Sequence, residues 1–347
     1  MDVACCDAQK RADLLYKYKL YSFKKFVTFS KYAWKTAQEL SKKHGSSALS
    51  FWFDMLWCNV RYGMMHTRDY TLFEFYRKSG KEKDKFLTSR RYYKLIKSFD
   101  KDTFYLLLDK AANYKKYSDF IKRSWMLLDA STKPEDIYLF CNEHKEVLVK
   151  PLSSDSGKGV YKLSAGDETS VRELIDKKNS QSFLIEEICV NCSELKSINP
   201  SSLNTLRIDT LVNNDLSIDI VSVHLRCGCG ETVVDNWGAG GIGYPVDIET
   251  GIISASGMDL QGGRHIIHPG SDMVMPGFKI PRYSEACELA KDIIASDPKV
   301  VYAGLDLAIL PDRIELIEVN FPPAHLFLQA VDMIGRKSIF KNMYRPQ

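Results

Sequence analysis

Asp306, Glu318 and Asn320 carry the oxygen ligands that a hard cation prefers, and their spacing can bring them together. Residues 305–310 and 314–319 are rich in β-formers, and Pro311-Asp312-Arg313 between them is a turn signal. With those three residues as the loop, Leu310 faces Ile314 and Asp306 falls opposite Glu318. Side chains alternate along a strand, so Asp306, Glu318 and Asn320 share one face. Two carboxylates opposed across a ladder are destabilising unless positive charge sits between them. A divalent cation whose shell is completed by nucleotide phosphates meets that need. A solvated acidic hairpin edge is the alternative without a ligand. Both depend on register, because a one-residue slip turns every side chain of a strand to the other face.

A partner for such a site lies upstream. Glu146-Val147-Leu148-Val149-Lys150-Pro151 reads as a buried strand ending in a lysine, and it runs into Leu152-Ser153-Ser154-Asp155-Ser156-Gly157-Lys158-Gly159. A loop of that composition can turn several backbone N–H groups toward one anion, while Lys150 offers a point charge. It is not a Walker A loop, since the lysine precedes the glycines and Gly159 stands where Ser or Thr would hold magnesium. Nor is it a dinucleotide fingerprint, because the third glycine is missing. A Ser/Gly-rich hairpin turn with no ligand is the competing reading.

Strand, lysine, loop and acidic hairpin together resemble the ATP-grasp superfamily, and within it the branch associated with sugar transfer and cell-surface glycan synthesis. The resemblance covers residues 65–327. Its most specific pieces are Pro200-Ser201-Ser202-Leu203-Asn204-Thr205-Leu206-Arg207 and Tyr244-Pro245-Val246-Asp247-Ile248-Glu249-Thr250-Gly251, followed in order by His268-Pro269, Gly277-Phe278-Lys279-Ile280-Pro281 and Glu318-Val319-Asn320. It implies an α+β ATP-grasp fold, with two α+β subdomains clasping ATP. By the same resemblance Lys110 and Lys150 contact the phosphates, and Ser153, Ser154, Ser156, Gly157 and Gly159 fold over them as a lid. Glu186, Glu187 and Ile188 form the hinge that meets adenine through its backbone, and Glu194 holds the ribose hydroxyls. Arg207 sits against the transferred phosphate, and Asp306, Glu318 and Asn320 hold one or two Mg2+ ions. One departure is Phe321-Pro322-Pro323-Ala324 after Asn320, where small residues and glycine are usual; it bears on the shape of the acceptor side.

Phosphoryl transfer asks a protein mainly for charge neutralisation and alignment, which two lysines, an arginine and magnesium supply. Arg207 suits a bidentate grip on phosphate that lysine would not reproduce. The resemblance implies an ATP-dependent carboxylate–amine ligase that forms an amide through an acyl phosphate and releases ADP. Its setting would be surface polysaccharide or peptide-glycan biosynthesis. A kinase that stops after phosphorylating a hydroxyl would use the same nucleotide half. So would a nucleotide-binding regulatory protein without turnover, against which the intact Lys150, Arg207, Asp306, Glu318 and Asn320 argue. On the acceptor side, Asn204, Arg226, Asn236 and His265 are candidates for gripping a substrate carboxylate or amine. Residues 238–243 are too glycine-rich for a packed strand and suggest a mobile loop or close backbone approach to a ligand.

The rest of the chain sets the frame. Its 347 residues, 45% hydrophobic, can bury more than one core. No apolar run approaches the roughly twenty residues of a membrane span; the best, residues 48–60, is interrupted by Asp54. The first residues lack the features of a signal peptide, and nine scattered cysteines suit a reducing cytoplasm. Cys189/Cys192 and Cys227/Cys229 read as incidental thiols, with zinc as the alternative. Residues 1–135 hold 28 Lys and Arg against 15 Asp and Glu, a balance of +13, whereas residues 136–347 hold 20 against 29, or −9. Aromatics alternate with lysines over residues 16–27 as an amphipathic helical stripe. Helix packing with a solvated lysine face accounts for the stripe. Contact with an anionic membrane surface or glycan-lipid phosphate at the inner face of the membrane is the other account. No nucleic-acid-binding module accompanies the charge. The expected organisation is a basic helical region over residues 1–108, a lid subdomain over 109–187 and a catalytic subdomain over 188–347. Residues 79–85 and 129–136 read as breaks, and helices are expected near 170–178 and 284–295.

Overall fold

The computed structural model describes residues 22–152, 159–232 and 235–345. Helices come first: α1 (Phe23–His44), α2 (Ala48–Tyr62), α3 (Thr67–Leu72), α4 (Gly80–Lys83), α5 (Ser89–Ile96), α6 (Lys101–Leu108) and α7 (Lys110–Lys116). α1 starts where the Ser22 side chain accepts the Lys25 N–H, and it stops at Gly45, whose φ of 72° is left-handed. Phe29, Ala33, Ala37 and Leu40 recur at helical spacing and form its buried face. Within the stripe, Lys24 is exposed, and so are the apolar Phe23 and Val27. Its beginning, residues 16–21, lies outside the described residues.

Residues 79–85 are not a break. Ser79 and Glu82 form a reciprocal capping box, with the Ser79 N–H donating to Glu82 at 2.7 Å. That pairing satisfies the first turn of α4 and offsets the glycine that follows Ser79.

Two antiparallel sheets follow. The smaller contains β1 (Trp125–Leu128), β2 (Glu146–Pro151), β3 (Tyr161–Ser164) and β4 (Phe183–Glu187), ordered β1-β4-β2-β3. α8 (Pro134–His144) and α9 (Glu168–Lys177) cover it, and Ile137, Val147, Val149, Leu174 and Ile185 share one core. The larger sheet has seven strands. It contains β5 (Thr205–Val212), β6 (Ile218–Cys227), β7 (Ile242–Val246), β8 (Gly257–Met258), β9 (Arg264–His265), β10 (Tyr302–Ile309) and β11 (Ile314–Asn320), ordered β11-β10-β5-β6-β7-β8-β9. Between and after these strands come α10 (Ser193–Lys196), α11 (Tyr283–Ala295) and α12 (His325–Ala330). β5 and β10 are interior strands, buried at every position. The chain is therefore α+β with a helical N-terminal region, as its sequence led us to expect. Among the described residues no helix is long and apolar enough to cross a membrane.

The glycine-rich segment differs from expectation. Gly243 lies within the packed strand β7, and a Cβ there would come 2.6 Å from Phe327 of α12. The close approach is real, but it is to the protein's own helix.

Candidate active site

The β10–β11 hairpin pairs Asp306 with Glu318, though by a route the sequence did not show. Ile309, not Leu310, faces Ile314, so the loop is one residue longer than Pro311-Asp312-Arg313. Leu310 N–H closes it onto the Arg313 carbonyl at 2.9 Å. A bulge beside Leu307 then restores the offset, with Ile317 as the extra residue, so that Asp306, Leu305 and Gly304 meet Glu318, Val319 and Asn320.

Positive charge surrounds this carboxylate pair. Arg207 of β5 lies beside Asp306 in the ladder and grips it in a fork, Nε to Oδ1 at 2.6 Å and Nη2 to Oδ2 at 3.0 Å. Arg226 donates to the same Oδ2 at 2.7 Å, and the Asn320 amide donates to it at 3.2 Å. Oδ2 is thus fully engaged, and Oδ1 keeps one lone pair. Burial opposes ionisation of Asp306, but Arg207 and then Arg226 outweigh it and hold the carboxyl down at about 2. Glu318 behaves in the opposite way. Burial, and then Asp306 across the ladder, push its carboxyl above the usual range against the pull of Lys110, Lys150 and Arg207. These three cations come from α7, β2 and β5, and all act on one carboxylate.

The oxygens gathered here fit a hard cation: a Glu318 carboxylate whose charge is incompletely offset, the Asn320 amide oxygen and the remaining lone pair on Asp306. Among the described residues no group of three His, Cys, Asp or Glu side chains forms a metal cluster, so any cation would depend on the amide oxygen and on phosphate. Cys189 and Cys192 form no such cluster, and burial pushes the Cys189 thiol up to about 11.

Behind the hairpin, Arg123 joins the two sheets. This buried residue precedes β1 and reaches Glu186 of β4 at 2.6 Å and Glu315 of β11 at 3.0 Å. It also donates to the carbonyls of Leu316 and Ile317. Lys150 binds Glu186 at 2.6 Å and lies 3.4 Å from the Tyr114 hydroxyl, which donates to the same carboxylate at 2.9 Å. A cleft runs beside this cluster, lined by Lys150, Lys162, Glu186, Ile188, Asn191 and Ile317. Burial disfavours the Glu186 charge, but Arg123 and Lys150 prevail and hold the carboxyl at about 2.

That depression fixes a sign. The folded value lies below the usual 4.5, so the contribution of the Glu186 charge to stability is complete above about pH 4.5 and lost as pH falls through about 2. In urea titrations, wild type is expected to exceed Glu186→Gln most at neutral pH, with the gap closing toward pH 2. A gap independent of pH would remove the charge from the explanation.

Several residues singled out from sequence fall elsewhere. The Glu186 backbone lies inside the small sheet, between β1 and β2, and the Glu187 N–H is spent on the Ser124 carbonyl at 2.9 Å. Glu186 and Glu187 of β4 and Ile188 just past its end all line the cleft. Glu194 is exposed, bonds Ser193 at 2.8 Å and does not line the cleft, whereas Lys196 on the same short helix does. Asn204 is fully buried and spends its amide on the carbonyls of Leu195 and Asn199, so it braces a loop and cannot reach a substrate. Asn236 accepts the Gly238 N–H as the cap of a short helical turn. His265 pairs with Asp259 at 2.8 Å near the far edge of the large sheet. Arg226 does join the site, but as a partner of Asp306 and of Asp235 at 3.1 Å, so its charge is already committed. Ser153, Ser154, Ser156 and Gly157 lie outside the described residues. Gly159 has a φ of 73°, a conformation that glycine adopts without strain. Arg123, Tyr114 and Asp235 escaped sequence reading because their partners are distant in the chain and no local pattern marks them.

A model of the sugar-transfer associated ATP-grasp family matches residues 88–344. The chain belongs to that family. No curated protein matches it in sequence. Among solved structures, this ATP-grasp chain is similar to the D-alanine-D-alanine ligase from Coxiella burnetii at 9% identity and a TM-score of 0.38, covering 64% of this chain and 50% of that one. It is similar to N5-carboxyaminoimidazole synthetase from Staphylococcus aureus complexed with ADP at 10% identity and a TM-score of 0.44, covering 72% and 56%. A third similar structure is the ATP-grasp ligase PsnB complexed with a minimal precursor, at 12% identity and a TM-score of 0.37, covering 62% and 53%. The chain spans about half the length of these solved proteins.

Proposed function

We propose that this ATP-grasp protein is an ATP-dependent carboxylate–amine ligase that works through an acyl phosphate, in the assembly of a surface polysaccharide or peptide-linked glycan. The observation supporting this most directly is the pair Asp306 and Glu318 opposed across the β10–β11 hairpin, with Arg207 in a fork on Asp306. Opposed carboxylates able to take a cation, with an arginine fixed beside them, offer the charge neutralisation that the terminal phosphates of ATP require.

In this reading residues 109–187 form the lid and residues 188–347 the catalytic part, with nucleotide in the cleft between the sheets. Ile188 meets the base, and Lys110 and Lys150 hold phosphates. Glu186 keeps Lys150 oriented, and the ammonium has three donors, so a phosphate can share it with Glu186 and Tyr114. Glu318, Asn320 and Asp306 would hold magnesium, which when bound neutralises the terminal phosphates. Arg207, with Nε and Nη2 on Asp306, presents Nη1 to the phosphoryl group in transfer. A carboxylate oxygen of the substrate attacks the terminal phosphorus and ADP departs. The amine then attacks the acyl carbon, loses a proton and expels inorganic phosphate that carries one former carboxylate oxygen.

The test follows from that balance. Sugar acids and amines are screened for ADP release, and the active carboxylate is then labelled with heavy oxygen. Label is expected in inorganic phosphate when the amine is present. Label in AMP would exclude the mechanism, and a stable phosphorylated product without amide would favour a kinase.

A further inference from the structure

A cavity of ≈850 Å³ lies outside the proposed nucleotide cleft, between α1, the segment entering α3, α5 and the start of α12. Its position relative to the hairpin follows from the chain. After Asn320, Phe321 packs on Phe99 with ring centroids 5.2 Å apart, and the Pro323 carbonyl accepts the Tyr92 hydroxyl at 2.8 Å. His325 and Leu326, at the start of α12, then form the inner wall. Two residues after His325 on the same helix, Phe327 lies beneath the Arg207 guanidinium, 6.0 Å from ring centre to cation. The unusual Phe-Pro-Pro-Ala sequence therefore leads from the hairpin into this cavity.

The lining is aromatic and cationic. Phe26, Phe29, Tyr32 and Tyr93 supply ring surface, and Lys25, Arg68 and Arg90 supply charge. Asp69, the one acidic residue in the wall among the described residues, is consumed: its carboxylate accepts the Ser89 N–H and hydroxyl, each at 2.7 Å, and pairs with His325 at 3.1 Å. Asn59 adds a specific polar demand. It is 4% exposed, its amide nitrogen donates to the Met64 carbonyl, and among the described residues its Oδ1 accepts no hydrogen bond. A buried acceptor in that state calls for a donor. Apolar walls with a few placed polar groups and a volume of this size are the anatomy of a small-molecule site.

We propose that this cavity binds a sugar bearing an anionic group, phosphate or carboxylate. Aromatic rings lie along the C–H face of the sugar, Asn59 Oδ1 takes a hydroxyl proton, and Arg68, Arg90 and Lys25 neutralise the anion. The proposal extends the ligase reading by giving its acceptor side a substrate class, but binding here requires neither ATP nor turnover.

The experiment is calorimetric titration of the full chain without nucleotide, using glucose 6-phosphate, glucose 1-phosphate and glucuronate, with glucose and inorganic phosphate as controls. Saturable binding of at least one anionic sugar is expected, with both controls weaker by about tenfold or more, because each control lacks one of the two recognition elements. Arg68 is exposed, so Arg68→Glu tests the charge without disturbing a core, and it should weaken binding by about tenfold or more. Asn59→Asp, which keeps an acceptor oxygen but exchanges the amide that donates to Met64 for a second negative charge beside the anion, should do likewise. Absence of binding by all three sugars would overturn the proposal, as would binding that both variants leave unchanged. Phosphatidylglycerol vesicles form the last arm. Cosedimentation that Arg68→Glu abolishes, in a protein that binds none of the sugars, would assign the cavity to a lipid headgroup instead. ADP-release assays stay separate, so failure of the ligase reading leaves these outcomes interpretable.

Discussion

Glu318→Ala is expected to lower ATP turnover by about three orders of magnitude while leaving thermal stability unchanged or slightly raised. The two halves of this expectation have one cause. The carboxylate is desolvated and faces Asp306 across the ladder, and its raised proton affinity means that the folded protein holds it at a cost. Removing it relieves like-charge repulsion, as expected of a residue kept for chemistry at the expense of stability. It also removes the carboxylate on which Lys110, Lys150 and Arg207 converge, and with it the proposed cation. Steady-state ADP release and a thermal melt on the same preparation check both halves. Turnover at the wild-type rate would falsify the assignment, and a large drop in melting temperature would make Glu318 a structural residue.

Arg123→Met is expected to have the largest effect on stability, a loss of about 3–5 kcal/mol in urea unfolding. The substitution roughly keeps volume but leaves Glu186 and Glu315 buried without their shared cation. It also takes donors from the carbonyls of Leu316 and Ile317. Arg123→Lys should recover little, because an ammonium cannot span two carboxylates and two carbonyls from one position. Since Arg123 ties β4 to β11, the loss should appear as a lower midpoint for the whole transition. A loss below about 1 kcal/mol would equate the cluster with a surface ion pair and remove its role in joining the sheets.

These two residues mark how far the sequence could be read. Glu318 was legible because a hairpin is local: two β-rich runs, a Pro-Asp turn and period-two alternation were enough to put it opposite Asp306. Asp306 and Glu318 are opposed even with a loop one residue longer than Pro311-Asp312-Arg313, because the bulge at Ile317 restores the offset. Lys150 was legible as a lysine at the end of a buried strand, and the ordered motifs supplied the family. The capping box of α4 was also legible in principle, since Ser79 and Glu82 carry its signature.

The sequence by itself determined the α+β class, the basic helical start, the family and the carboxylate-bearing hairpin, all of which rest on patterns a few residues long or on motifs in fixed order. Only the tertiary structure decided what each charge touches. Arg226 turned out to hold Asp306 rather than a substrate, Asn204 to brace a loop, Glu194 to face solvent, and Arg123 to join sheets from a position 192 residues away from Glu315. The physical reason is that burial makes an ion pair obligatory without leaving a local mark: a charge removed from water must find its partner in three dimensions, wherever in the chain that partner lies.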